Sequence, residues 1–274
     1  MDLYPTHLAT WSRPVLERAI RRRVQTAYLG GGLVLARILG RHKILLRGSD
    51  RGFACHLMLD GFWEVWLTQF LAQRVKPGMT VVDVGANFGY YTLLLADAVG
   101  AGGRVVAVEP NPDAAALLGE TILLNGFADR TRIVPHALGA AEGTALLFAP
   151  DSEPKNALLV SHADLPGGST REVPVTRLDT LALGERRIDL IKIDAEGAEQ
   201  AIVDGMQEVI ARDRPVIVLE YNAARYADPA GFLDGLLAHY GTAEELTGEG
   251  RLVPLDRASV TDAAPRQDRL LVFG

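Results

Sequence analysis

Short apolar runs that alternate with helical patterns constrain the fold of this chain more than any other feature. Five runs are predicted strands, and they span residues 81–84, 104–108, 132–134, 188–193 and 215–219. Four other stretches are predicted helices, at roughly residues 62–75, 89–99, 112–125 and 197–211. Strands that are apolar on both faces are typical of parallel sheets with helices on both sides. The sequence therefore predicts an α/β fold built from parallel βαβ units.

The composition is that of an ordinary globular protein. Of the 274 residues, 48% are hydrophobic and 23% are charged, which excludes the disordered, collagenous and coiled-coil classes. The single cysteine, Cys55, excludes a disulfide framework and any multi-cysteine metal site. The length is sufficient for one large domain, or for one domain with an appendage.

Positive charge is concentrated in the first part of the chain. Residues 1–47 carry nine lysines and arginines and two acidic residues, a balance of +7, whereas the remaining 227 residues carry a balance of −13. We therefore predict a basic helical arm over residues 1–43, followed by one domain over residues 44–274.

The arm contains one clear helix pattern. It starts at Arg13, with Ser12 as the expected N-cap and Pro14 in the first turn, and apolar residues recur at helical spacing as far as Tyr28. A basic amphipathic helix can lie on a membrane surface or against a partner, although a packing helix with one solvated face is the simpler interpretation. Its apolar stripe would also suit a homodimer contact.

Two further segments of the sequence bear on the cellular location of the protein and on its ligand pocket. A short apolar run after residue 26 only faintly resembles a signal peptide, and no run approaches the roughly 20 apolar residues of a membrane span. We expect no targeting segment, no membrane span and a cytoplasmic location. Residues 150–171 are rich in proline, serine, glycine and charge, so we predict a long loop that shapes a ligand pocket.

A glycine-containing turn follows the first of the predicted parallel strands. Asp83 lies at the end of this strand, and Gly85 and Gly89 frame a turn from which a helix begins. Glycines at these positions let the backbone approach a ligand closely, and the helix N-terminus favours polar or negative groups. Asn87, within the turn, either tolerates a left-handed conformation or contacts the ligand.

The next strand ends at Glu109-Pro110, twenty residues after Gly89. A carboxylate at such a strand end can accept hydrogen bonds from both hydroxyls of a ribose, so Glu109 is the strongest nucleotide-binding candidate. A dinucleotide fingerprint would require glycine where this chain has Asn87 and Tyr90. Asp83 would also face the phosphates of NAD, whereas it suits a sulfonium-bearing amino acid conjugate. The local pattern therefore favours S-adenosylmethionine.

A charged cluster follows the predicted strand at 188–193. Lys192 lies in an otherwise apolar strand, and a buried ammonium needs a partner, for which Asp194, Glu196 and Glu220 are available. One interpretation is an ion-pair network that fixes the strand end. The other is catalytic, because functional groups of open α/β sheets gather beyond the carboxyl ends of the strands.

In the catalytic interpretation, Asp194 or Glu196 orients or deprotonates an acceptor hydroxyl, and Lys192 positions that carboxylate. Glu220 ends a neighbouring strand and belongs to the same group of candidates. These carboxylates could also bind Mg²⁺, but they lack a distinctive ligand spacing, so no metal site is predicted.

Several motifs of this chain, taken in order, resemble those of the FkbM-type methyltransferases. They are Gly61-Phe-Trp-Glu64, Asp83-Val-Gly-Ala-Asn-Phe-Gly-Tyr-Tyr-Thr92, Glu109-Pro-Asn111, Ala137-Leu-Gly139, Leu178-Asp179, Ile188-Asp-Leu-Ile-Lys-Ile-Asp-Ala-Glu-Gly-Ala-Glu199 and Arg214-Pro-Val-Ile-Val-Leu-Glu220. The resemblance spans roughly residues 44–222, and the run from Lys192 to Glu199 is its most specific part.

The resemblance implies a class I, Rossmann-like methyltransferase fold, with seven mostly parallel strands of which the last is antiparallel. It implies S-adenosylmethionine as the donor and an oxygen of a sugar, polyketide or other small natural product as the acceptor. It also places Glu64 near the cofactor, where the alternative is a plain helix-start charge. His136 and Ala137 follow the third strand, where related folds contact adenine.

Other functions stay open at this point. A carboxylate is the second choice of acceptor. A nucleic-acid methyltransferase could use the basic arm as a phosphate contact, but the balance of −13 in the rest of the chain opposes it. The chain could also be a non-catalytic binding protein with the same fold. In that case we expect that it does not bind the cofactor. We predict a small-molecule acceptor and no nucleic-acid partner.

Overall fold

The computed structural model describes residues 2–150, 158–160, 167–181, 186–264 and 267–274. Its helices are α1 (Pro5–Thr10), α2 (Arg13–Arg21), α3 (Phe53–Leu59), α4 (Val65–Arg74), α5 (Tyr90–Val99), α6 (Pro112–Leu124), α7 (Glu199–Asp204), α8 (Gln207–Asp213), α9 (Pro229–Tyr240) and α10 (Arg257–Thr261). Its strands are β1 (Thr26–Gly30), β2 (Leu33–Ile38), β3 (His42–Arg47), β4 (Thr80–Val84), β5 (Arg104–Val108), β6 (Thr131–Val134), β7 (Ala137–Leu138), β8 (Gly143–Pro150), β9 (Leu158–Val160), β10 (Gly168–Thr176), β11 (Leu190–Ile193), β12 (Val216–Tyr221), β13 (Glu244–Leu246), β14 (Leu252–Pro254) and β15 (Arg269–Phe273).

The largest sheet has the strand order β14-β13-β15-β12-β11-β4-β5-β6. All five predicted strands lie in it as the parallel neighbours β12, β11, β4, β5 and β6, and β15 pairs with β12 in the antiparallel direction. The predicted class I fold is confirmed. The short strand β14, a hairpin partner of β13, adds an eighth strand at one edge of the expected seven.

The segment predicted as a long loop is partly a second sheet. Residues 168–175 of β10 pair with β8 in the antiparallel direction, and β9 extends that sheet on the other side of β8. The prediction of irregular structure over residues 150–171 is therefore wrong for residue 150, which ends β8, and for residues 158–160 and 168–171. Residues 151–157 and 161–166 lie outside the described part of the chain.

The N-terminal helix also ends earlier than predicted. It begins at Arg13 as expected but stops at Arg21, and β1, β2 and β3 form an antiparallel sheet in place of a longer helix. The apolar residues after position 24 belong to a hairpin, because glycines 30–32 all adopt the positive φ angles that a tight turn requires. Along β2, buried and half-buried residues alternate with the period of two that is typical of a strand.

The arm packs into the main hydrophobic core. Leu16 and Ile20 of α2 are completely buried, and Gln69 of α4 donates to the carbonyl oxygens of Leu8 and Trp11 at 3.1 and 2.8 Å. The apolar stripe that would have suited a homodimer therefore packs within this chain. The predicted boundary after residue 43 falls inside β3 and does not coincide with a structural division. Among the described helices, none is both long and apolar enough to cross a lipid bilayer.

The order of the parallel strands places several charged residues together. Lys192 in β11 lies directly opposite Asp83 in β4, and β4 in turn pairs with β5, after which Glu109 follows. The carboxyl ends of β5, β4, β11 and β12 are therefore neighbours along one edge of the sheet. This edge is where ligands bind in open α/β folds.

Gly85 fixes the approach of the turn after β4 to the loop after β11. Its φ angle is +75°, and a Cβ atom built there would overlap the carbonyl oxygen of Asp194. We expect Gly85→Ala to lower the free energy of unfolding by about 3 kcal/mol, because backbone strain and a backbone clash act together. Urea denaturation monitored by circular dichroism measures this loss.

The control for this prediction is Gly78→Ala. Gly78 also has a positive φ angle, +90°, but a Cβ atom there would have no neighbour within 4 Å. The free energy of unfolding of Gly78→Ala should fall only by the cost of backbone strain, about 1 kcal/mol. Equal losses in the two variants would contradict the role of the Asp194 carbonyl.

Candidate active site

A cleft opens at the carboxyl ends of β4, β5 and β11. It encloses about 990 Å³ of empty space when its open mouth is included, which is sufficient for a ligand of nucleoside size or larger. Nine residues predicted from the sequence line it, namely Gly85, Asn87, Glu109, Pro110, His136, Ala137, Lys192, Asp194 and Glu196. The structure therefore brings most of the predicted site together in one place.

Glu109 is held by the backbone on both sides. One carboxylate oxygen accepts a hydrogen bond from the Asn87 N–H at 2.7 Å, and the other accepts from the Asn111 N–H at 2.8 Å. Burial raises the pKa of Glu109 to about 7, although these two backbone hydrogen bonds oppose the shift. The carboxylate is thus fixed in orientation, and each oxygen keeps a second lone pair for a ligand hydroxyl.

His136 provides a second polar group that suits a nucleoside. It lines the cleft, and its Nδ1 atom is buried without a hydrogen-bond partner among the described residues. Buried polar atoms are rarely left unpaired, so a ligand group at this position would satisfy it. Together with Glu109 and the positive-φ backbone of Asn87, the residues present fit the nucleoside half of S-adenosylmethionine.

Asp83 does not line the cleft. It is fully buried, its Oδ2 atom accepts a hydrogen bond from the Thr92 hydroxyl at 2.6 Å, and its Oδ1 atom lies 3.6 Å from the Lys192 ammonium. The sequence predicted that Asp83 places the cofactor directly or through water; the side chain points at the neighbouring strand, so a contact through water or through Lys192 stays a prediction. Burial raises the pKa of Asp83, and the positive charge of Lys192 opposes that shift.

Lys192 links this buried carboxylate to the cleft. Its Nζ atom lies 3.3 Å from Asp194 Oδ2, and it stands 4.9 Å from the centre of the Tyr91 ring. Burial alone would lower the pKa of Lys192, but Asp194 and Asp83 outweigh it and raise that pKa. The ammonium therefore stays protonated, and it holds Asp194 at the edge of the cleft.

Arg225 is a residue that the sequence analysis missed. Its guanidinium donates to Glu196 Oε2 at 2.8 Å and to Glu220 Oε2 at 2.9 Å, and it lies 3.3 Å from Asp268. Glu220, predicted as catalytic, does not line the cleft but braces Arg225 from β12. Burial, with Asp194 and Asp268 nearby, raises the pKa of Glu220. The only sequence signal was a lone arginine five positions after a strand-end glutamate.

The loop that carries Asp194 and Glu196 is fixed by a second missed residue. Glu199 is fully buried, and its Oε1 atom accepts hydrogen bonds from the N–H groups of Ala195 and Gly197, both at 3.0 Å. The Tyr226 hydroxyl donates to the other oxygen at 2.9 Å. This clamp presets the backbone of the loop before any ligand arrives.

Two other predicted cofactor residues also lie outside the cleft. Glu64 does not line the cleft itself, but it accepts a hydrogen bond at 2.8 Å from the hydroxyl of Tyr91, which does. Gly89 is the N-cap of α5, and a Cβ atom there would be 2.5 Å from Leu118. Its role is close packing between helices.

Aromatic rings form another wall that the motifs did not indicate. Phe53, Trp63, Tyr90 and Tyr91 line the cleft, and successive rings in this group make edge-on contacts. The chain from α3 and the loop before α4 thus covers one side of the site. Within the described residues, no three metal-ligating side chains are arranged to hold a metal ion.

Comparisons with known proteins identify the family of this chain. Residues 83–242 match the model of the methyltransferase FkbM domain. Protein-L-isoaspartate O-methyltransferase 1 of Arabidopsis thaliana is 30% identical over 123 residues, 44% of this chain and 49% of that protein. A protein-L-isoaspartate O-methyltransferase of Aeropyrum pernix is 42% identical over 59 residues, 22% and 23% of the two chains. This chain spans about half or less of these relatives.

Solved structures include a methyltransferase FkbM from Methylobacillus flagellatus, with 18% identity and a TM-score of 0.49 over 73% of this chain and 44% of that one. An O-methyltransferase from Bacillus cereus in complex with SAH has 19% identity and a TM-score of 0.41 over 76% and 78% of the two chains. Because the family model covers more than half of the sequence, the chain belongs to the FkbM family of S-adenosylmethionine-dependent methyltransferases.

Proposed function

We propose that the protein transfers the methyl group of S-adenosylmethionine to a hydroxyl oxygen of a small metabolite, such as a sugar or a natural-product scaffold. One observation carries this proposal. A ribose-type carboxylate, Glu109, and a lysine-held carboxylate, Asp194, line the same cleft from strands on either side of β4. One site thus contains a carboxylate that can bind the nucleoside of the cofactor and a carboxylate that can act on the acceptor.

The cofactor would be held by Glu109 at its ribose, by His136 and Ala137 at its adenine, and by the turn of Gly85 and Asn87. When bound, S-adenosylmethionine supplies a methyl group on a positively charged sulfur, which makes the methyl carbon electrophilic. The chain's own task is to exclude water and align the acceptor, and such alignment supplies much of the rate in a displacement reaction.

Asp194 is the proposed acceptor base. Its Oδ2 atom is occupied by Lys192, whereas no hydrogen bond reaches Oδ1 within the described part of the chain. The side chain is 35% exposed, so Oδ1 can accept the proton of an acceptor hydroxyl. Glu196 is the weaker candidate because Arg225 engages its carboxylate.

The charge of the site bears on the second choice of acceptor. Among the described residues, three carboxylates of the site, those of Asp83, Asp194 and Glu220, are paired with two cations, Lys192 and Arg225. An anionic acceptor, either a carboxylate or a nucleic acid, would meet excess negative charge there. This balance favours a neutral hydroxyl over a carboxylate. A cytoplasmic location stays our expectation, as it suits a chain with one unpaired cysteine.

The test is calorimetric titration of the protein with S-adenosylhomocysteine, with NADH as the control ligand. We expect binding of the first and none of the second, followed by methylation in a screen of neutral polyols and phenols with and without Mg²⁺. Binding of neither ligand by a folded sample would reject the proposal in favour of a non-catalytic role. Methylation confined to carboxylates would reject the hydroxyl acceptor.

The pKa of Glu109 makes cofactor binding depend on pH. Ribose hydroxyls donate to the carboxylate, so a proton on Glu109 competes with the ligand. With its pKa near 7, lowering the pH from about 8 to about 6 should raise the Kd of S-adenosylhomocysteine about tenfold. Calorimetry across this range measures the change, and Glu109→Gln should remove it. An equally steep dependence in that variant would assign the titration to another group.

A further inference from the structure

A second cavity lies beside the candidate active-site cleft. We call it the arginine cavity, because Arg47 and Arg171 both line it. It encloses about 920 Å³ of empty space when its open mouth is included. Four residues line both the cleft and this cavity, namely Asn87, Asn111, Ala114 and Leu147. Asp194 and Glu196 line the cleft alone, so the arginine cavity adjoins the cleft but lies apart from the proposed acceptor base.

The small sheet of β8, β9 and β10 forms one wall of the arginine cavity. The register pairs Arg171 with Leu147 and Ser169 with Ala149, and cross-strand partners share a face of the sheet. All four residues line the cavity, so this face of the sheet is directed at it. The guanidinium of Arg171 lies 3.2 Å from the carboxylate of Asp113, which belongs to the first turn of α6. Arg171 therefore reaches from the sheet to the helix.

The end of β3 forms another wall and carries the second arginine. The Lys43 N–H donates to the side chain of Asn125, at the end of α6, at 3.0 Å. The Leu45 N–H donates to the hydroxyl of Thr121, about one turn earlier in that helix, at 3.1 Å. The strand thus runs beside α6 toward the N-terminus of the helix. Arg47, two residues further along, enters the lining of the cavity there.

Positive charge exceeds negative charge in the arginine cavity. Among the described residues that line it, Arg47 and Arg171 are the cations and Asp113 is the single anion. Arg47 is half-buried, and no carboxylate lies within ion-pair distance of its guanidinium in the described part of the chain. The pair of Arg171 and Asp113 is exposed on both sides, and exposed ion pairs contribute little to stability. Both guanidinium groups are therefore available to an anionic ligand.

The remaining lining suits a phosphate ester better than a carboxylate. Ser49 and Ser169 add hydroxyl donors, and the N-terminal end of α6 favours negative charge. A phosphate group has enough oxygens to accept hydrogen bonds from guanidinium groups on two different walls, whereas a planar carboxylate matches one guanidinium. Phe88, Leu147 and Ala149 supply apolar surface for the carbon skeleton of the ligand.

We propose that the arginine cavity binds the phosphate group of a small molecule. The phosphate would lie between Arg47 and Arg171 and would replace the carboxylate that now pairs with Arg171. It would also lie next to Asn87 and Asn111, whose N–H groups hold Glu109, and hence beside the cofactor site. Two sources share this chemistry, a phosphorylated acceptor and a separate phosphorylated ligand. The proposal concerns binding alone, so it does not depend on the proposed methyl transfer.

The test is equilibrium dialysis of the full chain against radiolabelled inorganic phosphate, with and without saturating S-adenosylhomocysteine. The measurement without S-adenosylhomocysteine stands even if the protein does not bind that ligand. We expect a single saturable phosphate site, with acetate at least about tenfold weaker as a competitor than unlabelled phosphate.

Three variants and one control locate the site. Arg47→Gln should raise the Kd of phosphate at least about tenfold, and Arg171→Gln about fivefold, because Arg171 is the more exposed of the two. Asp113→Asn should lower the Kd about threefold, since it removes the carboxylate that competes for Arg171. The control Arg251→Gln removes an exposed cation elsewhere and should bind phosphate as the parent does. Circular dichroism verifies that each variant is folded.

Several results would overturn the proposal. These are no saturable binding of phosphate by the parent, unchanged binding in Arg47→Gln and Arg171→Gln, or an equal loss in Arg251→Gln. Weaker binding in Asp113→Asn would also contradict it, because the proposal requires the opposite sign. Complete displacement of phosphate by S-adenosylhomocysteine would assign the anion to the cofactor cleft. Acetate that competes as well as phosphate would replace the phosphate site by a general anion site.

A methylation assay then identifies the molecule that carries the phosphate. Inhibition by inorganic phosphate that is competitive with the acceptor would identify a phosphorylated acceptor. Bound phosphate that leaves the KM of the acceptor unchanged would identify a separate ligand. Either result supports the arginine cavity as a phosphate site, provided that Arg47→Gln abolishes the effect or the binding.

Discussion

Replacing Glu109 with alanine is expected to raise the Kd for S-adenosylhomocysteine by at least about 100-fold. Hydrogen bonds to a charged acceptor contribute about 1.5–3 kcal/mol each, and this carboxylate would accept two from a ribose. The backbone adds to the loss, because the N–H groups of Asn87 and Asn111 both donate to Glu109. Without the carboxylate, the turn after β4 and the start of α6 lose their common anchor. Isothermal titration calorimetry measures the change.

Two further variants make this result interpretable. Glu109→Gln keeps the shape of the side chain but presents an NH₂ group to one of the two backbone donors. We therefore expect a loss of affinity for S-adenosylhomocysteine that is smaller than the loss in Glu109→Ala. Glu120→Ala removes an exposed carboxylate from the outer side of α6 and should leave the Kd unchanged. Binding by Glu109→Ala as tight as that of the parent protein would remove Glu109 from the cofactor site.

The predicted parallel strands and the residues that end them were accessible from the sequence. Glu109 and Asp194 each follow an apolar run directly, and parallel strands of one sheet place such positions on one edge. The local pattern therefore predicted which residues would meet in the cleft. It could not predict in which direction each side chain points at that edge. For this reason Asp83 was assigned to the cofactor site. The register with β11 instead turns Asp83 toward Lys192.

The local sequence pattern did not indicate the residues that act through tertiary contacts. Arg225 and Tyr226 lie beyond β12, yet Arg225 reaches back to Glu196 in the loop after β11 and Tyr226 to Glu199 at the start of α7. Nothing in the spacing of these residues indicates the contact, because it depends on how two loops pack. The prediction for the N-terminal hairpin was wrong for another reason. Apolar residues before and after position 24 can be fitted with one helical period, although the second group follows a strand period of two.

Replacing Asp194 with asparagine should lower kcat by about 10²–10⁴-fold and leave the Kd for S-adenosylhomocysteine unchanged. Loss of a positioned general base has this magnitude. Asparagine has nearly the shape of aspartate, and its amide oxygen can still accept a hydrogen bond from the Lys192 ammonium. Asp83, 3.6 Å from that ammonium, keeps Lys192 paired within the strand. The change therefore removes the proton acceptor and disturbs the fold little. Single-turnover methylation with a saturating acceptor separates the chemical step from binding.

The matched variant is Glu196→Gln, because Glu196 is the competing base. Its carboxylate already accepts a hydrogen bond from Arg225 at 2.8 Å, and glutamine preserves an acceptor at that position. We expect a loss of less than about tenfold in kcat, since a residue that only supports the loop retains most of its effect when its shape is kept. A large loss in Glu196→Gln with normal turnover in Asp194→Asn would exchange their roles. Large losses in both would indicate that the two carboxylates act as one unit, with Lys192 holding Asp194 and Arg225 holding Glu196 in the same loop after β11.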